Sequence, residues 1–273
     1  MQIENDADPS WVMALTGRPL SVAESAVEEA RADRRLFAHL AREHSRAGRS
    51  SYIEIDAPLE LHAIARLLRP EHVVEVGVSS GVSSAYLLAA LEKNGRGTLH
   101  SVDLPSRPSR SANGRGASWS LPPGKNSGWA VPSRLRRGWD LRLGDKAEVV
   151  PQLAQELRRV DLVVYDVPHN ETDLVREFTE LDPRMPRGSV AIVDHGPGGG
   201  LCLALRRWAR SRGTTATRRA GLGLYGMRCG RADAGNRSIP CEVPRQHVHG
   251  MAASGAPPGI RLTSYSNPLR PVH

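Results

Sequence analysis

Four aspartates in this chain each close a stretch that reads as a short strand: Asp103 after residues 98–102, Asp145 after 141–144, Asp166 after 160–165 and Asp194 after 189–193. A carboxylate can accept hydrogen bonds from hydroxyls, hold a cation or move a proton, so four of them at one edge would make a site. Taken singly, each could equally be the N-cap of a following helix. Two histidines stand beside the set. His169 lies in Tyr165-Asp166-Val167-Pro168-His169, and His195 follows Asp194 and precedes Gly196-Pro197-Gly198-Gly199-Gly200. Histidine titrates near neutrality, so His169 and His195, with Asp166, are the candidate catalytic groups. His169 could instead cap the next helix, and the glycine run could be a substrate loop or a plain connector.

Such acids converge only if a scaffold brings strand ends together. The stretch His72-Val73-Val74-Glu75-Val76-Gly77-Val78-Ser79-Ser80-Gly81-Val82-Ser83-Ser84 reads as a buried strand, a glycine turn and a helix start. Its β-branched valines suit a strand covered on both faces. Gly77 and Gly81 let the backbone turn sharply, and Ser79, Ser80 and Ser83 are candidate caps whose helix would turn its amides toward an anionic group. A helix over 83–92 and a strand over 98–103 complete a right-handed βαβ unit.

Further strands are expected at 141–145, 160–166 and 189–194, with helices over 146–158, 173–181 and 200–210 between and after them. Residues 214–219 and 222–228, joined by Ala220-Gly221, would close a hairpin. The expected fold is α/β, a doubly wound, Rossmann-like seven-stranded sheet with a C-terminal β-hairpin, and ligands bind such sheets at the carboxyl ends of the strands. Upstream, a helix spans 58–68 and stops before Pro70. The N-terminal extension 1–57 is helical and charged, with a capping box at Ser21 and Glu24 opening a helix that continues towards Arg46. Its stripe of Leu36, Phe37, Leu40 and Ala41 serves either packing or a lid. Residues 104–140 break the pattern, and Trp119, Trp129 and Trp139 favour an ordered lid there. The segment 231–273 reads as a flexible tail.

Asp103 sits roughly 20 residues beyond the glycine turn, where an acid can accept both hydrogen bonds of a ribose diol. That points to an adenosine-type cofactor. A nicotinamide cofactor prefers Gly-x-Gly-x-x-Gly, whereas this turn has two glycines and an acid, Glu75, within the strand. Such an acid repels a pyrophosphate but can help hold a cationic amino group, directly or through water. S-adenosylmethionine (SAM) carries an amino group, a carboxylate, a sulfonium and a ribose, and no phosphate.

From about residue 58 to 229 the chain resembles class I SAM-dependent methyltransferases, most closely their small-molecule O-methyltransferase-like branch. The matching pieces are Val74-Glu75-Val76-Gly77 with Gly81, Ser101-Val102-Asp103, Leu143-Gly144-Asp145, Tyr165-Asp166-Val167-Pro168-His169 and Ile192-Val193-Asp194. The resemblance implies a SAM-binding domain over 58–230, with Glu75, Gly77, Ser79 and Gly81 at the methionine end. It further implies Asp103 on the ribose and Asp145 with Lys146 at the adenine edge, with Ser83 and Asp166 completing the cofactor set. Relatives that bind Mg²⁺ place an Asp after strand four and an Asp-Asn or Asp-Asp pair after strand five. Here Asp166 and Asp194-His195 stand instead, a tentative divalent-metal set in which histidine suits a transition metal better than Mg²⁺.

A net charge of +8, mostly from arginine, raises the question of nucleic acid. A solvated arginine-rich surface accounts for it, since no dense basic-aromatic patch is present. After strand four, Asp166-Val167-Pro168-His169 lacks the Pro-Pro and aromatic of amino-methylating nucleic-acid enzymes. RNA methylation and SAM binding without catalysis remain the alternatives to small-molecule O-methylation, with a dehydrogenase more distant. The three cysteines form neither a CxxC pair nor a disulfide framework, which fits a reducing cytoplasm. The acidic N-terminus lacks the apolar core of a signal peptide, and no apolar run approaches a membrane span. A homo-oligomer is left open.

Overall fold

The computed structural model describes residues 7–47, 57–105, 121–167, 171–195, 203–219 and 221–230. His169, Trp119, the glycine run 196–200 and the tail 231–273 lie outside these residues.

Seven strands form one sheet: β1 (His72–Val76), β2 (Thr98–Asp103), β3 (Trp139–Leu143), β4 (Leu162–Tyr165), β5 (Val190–Asp194), β6 (Thr217–Arg218) and β7 (Leu224–Arg228), in the order β3-β2-β1-β4-β5-β7-β6. The first five are parallel, and β7 runs antiparallel between β5 and β6. The chain steps outward from β1 to β3 and then returns to β4 beside β1. The crevice between β1 and β4 is therefore the switch point where such sheets take ligands.

Alternation along the strands feeds two cores. Val73, Leu99, Val164 and Ile192 pack with α1 (Pro9–Thr16), α2 (Leu20–Arg31), α3 (Arg34–Ala47), α4 (Pro58–Leu68) and α5 (Val82–Asn94). Val74, Val76, Val163 and Val193 pack with α6 (Lys146–Glu156), α7 (Glu171–Leu181) and α8 (Leu203–Ser211). Val73 and Val74 are both 0% exposed, as expected of a strand covered on both faces. Among the described residues, no helix is long and apolar enough to cross a membrane.

The N-terminal reading needs correction. A single helix from Ser21 towards Arg46 is replaced by α2 and α3, and Pro19, not Ser21, occupies the N-cap of α2 with no side-chain cap bond. The break falls at Asp33, whose Oδ1 accepts the Leu36 N–H at 3.0 Å and so starts a new helix. Helix α1, absent from the sequence reading as a separate element, begins under an Asp8 cap and stops at Gly17, which has φ 68°. It packs on the C-terminal hairpin: Trp11 Nε1 donates to the Thr217 carbonyl at 3.0 Å. Leu15 fills the space over Gly226, where an added Cβ would meet it at 2.4 Å. Arg219 and Glu60, both nearly fully buried, pair at 2.8 Å and tie the hairpin to α4.

Strand β3 starts two residues earlier than its sequence pattern suggested and takes Trp139 out of the irregular insertion. The described remainder, 121–138, lies against the glycine turn.

Candidate active site

Five backbone bonds organise the rim at the carboxyl ends of the strands. Gly144 N–H donates to the Asp103 carbonyl at 2.9 Å, Gly77 N–H to Val102 at 2.9 Å and Asp166 N–H to Val76 at 2.8 Å. Across the turn itself, Gly128 N–H and Ala130 N–H donate to the Ser79 and Ser80 carbonyls, each at 2.9 Å. The insertion is thus strapped onto the turn. Both glycines are required by this packing. A Cβ on Gly77 (φ 96°) would lie 2.0 Å from the Asp166 carbonyl oxygen, and one on Gly81 (φ 93°) would lie 2.6 Å from Val131 and 2.9 Å from Gly128. Their freedom serves chain-to-chain contact as well as any approach to a ligand.

The expected serine caps do other work. Helix α5 starts at Gly81 with no side-chain cap. Ser83 and Ser84 hydroxyls donate to Glu75 at 2.6 and 2.7 Å, and Ser101 donates to it at 2.6 Å while accepting from Trp139 Nε1 at 2.8 Å. Glu75 is 0% exposed. Burial pushes its carboxyl above the usual range, while Ser101, Ser83 and Ser84 pull the other way. Its direct contacts are therefore the inner wall of the turn. Ser80 faces α3, where His44 Nε2 lies 3.0 Å from its hydroxyl. His44 Nδ1 meets the Leu40 carbonyl at 2.8 Å, which puts the proton on Nδ1 and lets a neutral Nε2 accept from Ser80.

Asp103 ends β2, half-buried at the rim. Its Oδ2 accepts the Ser79 N–H at 3.1 Å and its Oδ1 the Leu104 N–H at 2.8 Å. The amides of Gly77, Ser79 and Gly81 are thus all spent inside the protein, Gly81 on the Val78 carbonyl at 2.8 Å. A turn built this way, with one carboxylate on its amide and another behind it, does not suit a pyrophosphate. It fits a cofactor that carries positive charge and a diol, because each Asp103 oxygen retains acceptor capacity beyond its one backbone bond.

Asp145 lies beyond the end of β3 at Leu143, while Lys146 opens a helix as expected. Asp145 is the N-cap of α6 and accepts the Ala147 N–H at 2.9 Å. Lys146 donates to Glu177 at 2.6 Å and to the Tyr165 hydroxyl at 2.9 Å. Burial pushes the Tyr165 phenol well above its usual range, with Glu177 adding to the shift.

Asp166 and Asp194 stand level on adjacent strands, since Tyr165 pairs with Val193. His195 follows, its N–H bonded to the Gly223 carbonyl at 3.1 Å and its ring 5.7 Å from that of Tyr225. Among the described residues, no three His, Cys, Asp or Glu side chains are grouped closely enough to hold a metal, and Asp166, Asp194 and His195 are no exception. Sequence reading missed Ser84, Ser101, His44 and Glu177. Only the Ser83-Ser84 doublet next to a buried acid offered a local signal.

Residues 74–195, from β1 to the end of β5, match the family model described as a methyltransferase domain. That stretch is therefore similar to methyltransferase domains, and the match takes in the glycine turn with Asp103, Asp145, Asp166 and Asp194. The sheet order found here, with its antiparallel β7, is the doubly wound seven-stranded sheet with a C-terminal hairpin expected from the sequence. Among solved structures, a methyltransferase from Geobacter sulfurreducens is similar over 83% of this chain and 98% of its own, at 14% identity and a TM-score of 0.48. A methyltransferase from Podospora anserina solved with S-adenosylhomocysteine (SAH) is similar over 77% of this chain and 95% of its own, at 11% identity and a TM-score of 0.47. No curated protein matches.

Proposed function

We propose that this methyltransferase acts on a hydroxyl oxygen of a small molecule in the cytoplasm, with 58–230 as the catalytic unit. The observation that carries the cofactor half of this reading is the Asp103 carboxylate on the Ser79 amide, where a phosphate-binding turn would keep that amide free. Bound SAM would supply a methyl already activated by its sulfonium. The protein's part is to align and exclude water. Asp103 accepts the ribose hydroxyls, while Gly77, Ser79, Gly81 and Ser83 shape the methionine end, with Glu75 bracing them from behind. Asp145 borders the adenine. Asp166 and His195 are the groups assigned to take the acceptor's proton, with His169, three positions after Asp166 in the sequence, as the third candidate. The segment 121–138 and α3 wall the turn on its outer side.

Thermal melting with millimolar SAH tests the reading. Wild type is expected to gain stability, and Asp103→Ala to lose most of that gain. Absence of a shift in the wild type would refute SAM binding. Turnover with hydroxylated acceptors, measured with and without EDTA, separates metal-free from metal-assisted deprotonation by Asp166 and His195. SAH binding with no turnover would favour a non-catalytic role, and steeply salt-dependent RNA affinity would favour RNA as the acceptor.

A further inference from the structure

Lys146 directly follows Asp145 and opens α6, yet its ammonium points into the protein. It donates to Glu177 Oε1 at 2.6 Å and to the Tyr165 hydroxyl oxygen at 2.9 Å, and the Tyr165 O–H donates in turn to Glu177 Oε2. Tyr165 is 0% exposed and Glu177 1%. Arg176 stands 3.9 Å from Glu177 Oε1. Each of these buried groups has a partner, and each partner is lost if one corner of the triangle moves. Closed buried networks of this kind are demanding in geometry, because a group left alone is costly.

The triangle also has a particular place in the fold. The rim bonds Gly144 to Asp103, Gly77 to Val102 and Asp166 to Val76 join the ends of β3, β2, β1 and β4 in one row. Lys146 hangs from one end of the row beside Asp145. Tyr165, the last residue of β4, stands at the other end beside Asp166. Row and triangle together make a closed ring, with Glu177 of α7 as its outer corner.

We propose that Lys146, Tyr165 and Glu177 are positioning residues for the cofactor. They fix Asp145 and Asp166 relative to Asp103, and so set affinity for the adenosyl group without touching it. This rests on the rim being the SAM site. The geometry separates it from a direct role for Lys146, because a contact residue acts alone and a brace acts through all its corners.

Calorimetric titration of the full chain with SAH, well below each melting temperature, decides between them. Lys146→Met, Glu177→Gln and the nearly isosteric Tyr165→Phe are each expected to weaken SAH by about five- to tenfold. The double variant Lys146→Met/Tyr165→Phe should be no weaker than its worse single. If only Lys146→Met loses affinity, Lys146 is a contact and the proposal is wrong. If all variants bind like wild type and merely melt earlier, the triangle serves stability alone and the proposal is equally wrong. Tyr165→Phe keeps the core filled and carries the test should Glu177→Gln fail to fold. Wild type that binds no SAH overturns the SAM reading itself, an outcome distinct from either of these.

Discussion

The Ser79 N–H and the Asp103 carboxylate meet at 3.1 Å, and Ser79 is the one residue of the 77–81 turn that holds a left-handed conformation without being glycine, at φ 51°. An L side chain resists that conformation, and a β-branched one resists it most. Ser79→Val should therefore lower stability by about 1–2 kcal/mol, read by chemical denaturation. Ser79→Gly should be neutral or stabilising. Equal stability of the two variants would contradict the strained geometry.

Gly81 is constrained twice, by its φ of 93° and by Val131 and Gly128 above it. Gly81→Ala is expected to cost about 1–3 kcal/mol by forcing the 126–131 strap off the turn. Faster proteolysis within the strap should accompany the loss. Trimming Val131 to Ala should recover only part of it, because the Gly128 backbone and the φ constraint remain.

The Glu60–Arg219 pair is buried on both sides, with side chains 3% and 7% exposed. Arg219→Met leaves a buried carboxylate that still accepts the Asp8 N–H at 3.0 Å but has lost its cation. The expected cost is about 3–5 kcal/mol. Glu60→Gln/Arg219→Met should cost clearly less than the two singles summed, and strict additivity would show that the pair is not coupled.

Glu29, on α2, has its carboxyl lowered to about 2, first by the Arg66 guanidinium, with burial opposing and His62 and Lys93 assisting. Its folded-state pKa lies below the unfolded value, so its contribution to stability is complete above about 4.5 and is lost as pH falls towards 2. Melting temperature followed from pH 7 to 2 should fall less steeply in Glu29→Gln across that window. Parallel curves would rule the linkage out.

The parallel strands and the glycine turn were legible because apolar runs such as Val73-Val74 and Leu162-Val163-Val164 declare themselves within a few residues, and local patterns survive in sequence. Asp103 and Asp194 do end strands, as their patterns imply. What escaped was direction. Nothing in the spacing says that Lys146 turns inward to Glu177, thirty-one positions away, or that the Glu75 carboxylate is used up by hydroxyls of α5 and β2. The Asp33 cap was visible in principle, but the longer amphipathic run around it outweighed a single aspartate.

Helix α1 bears on how the chain is made. Trp11 and its acceptor Thr217 are separated by 206 positions. At ribosomal rates of about 5–20 residues per second, Trp11 exists for roughly 10–40 s before Thr217 is synthesised. Through that interval the apolar face of Trp11, Val12 and Leu15 lacks the hairpin it finally covers. The first of the described helices thus completes its packing only when nearly all of the sheet is present, so its apolar face stays uncovered on the nascent chain until then.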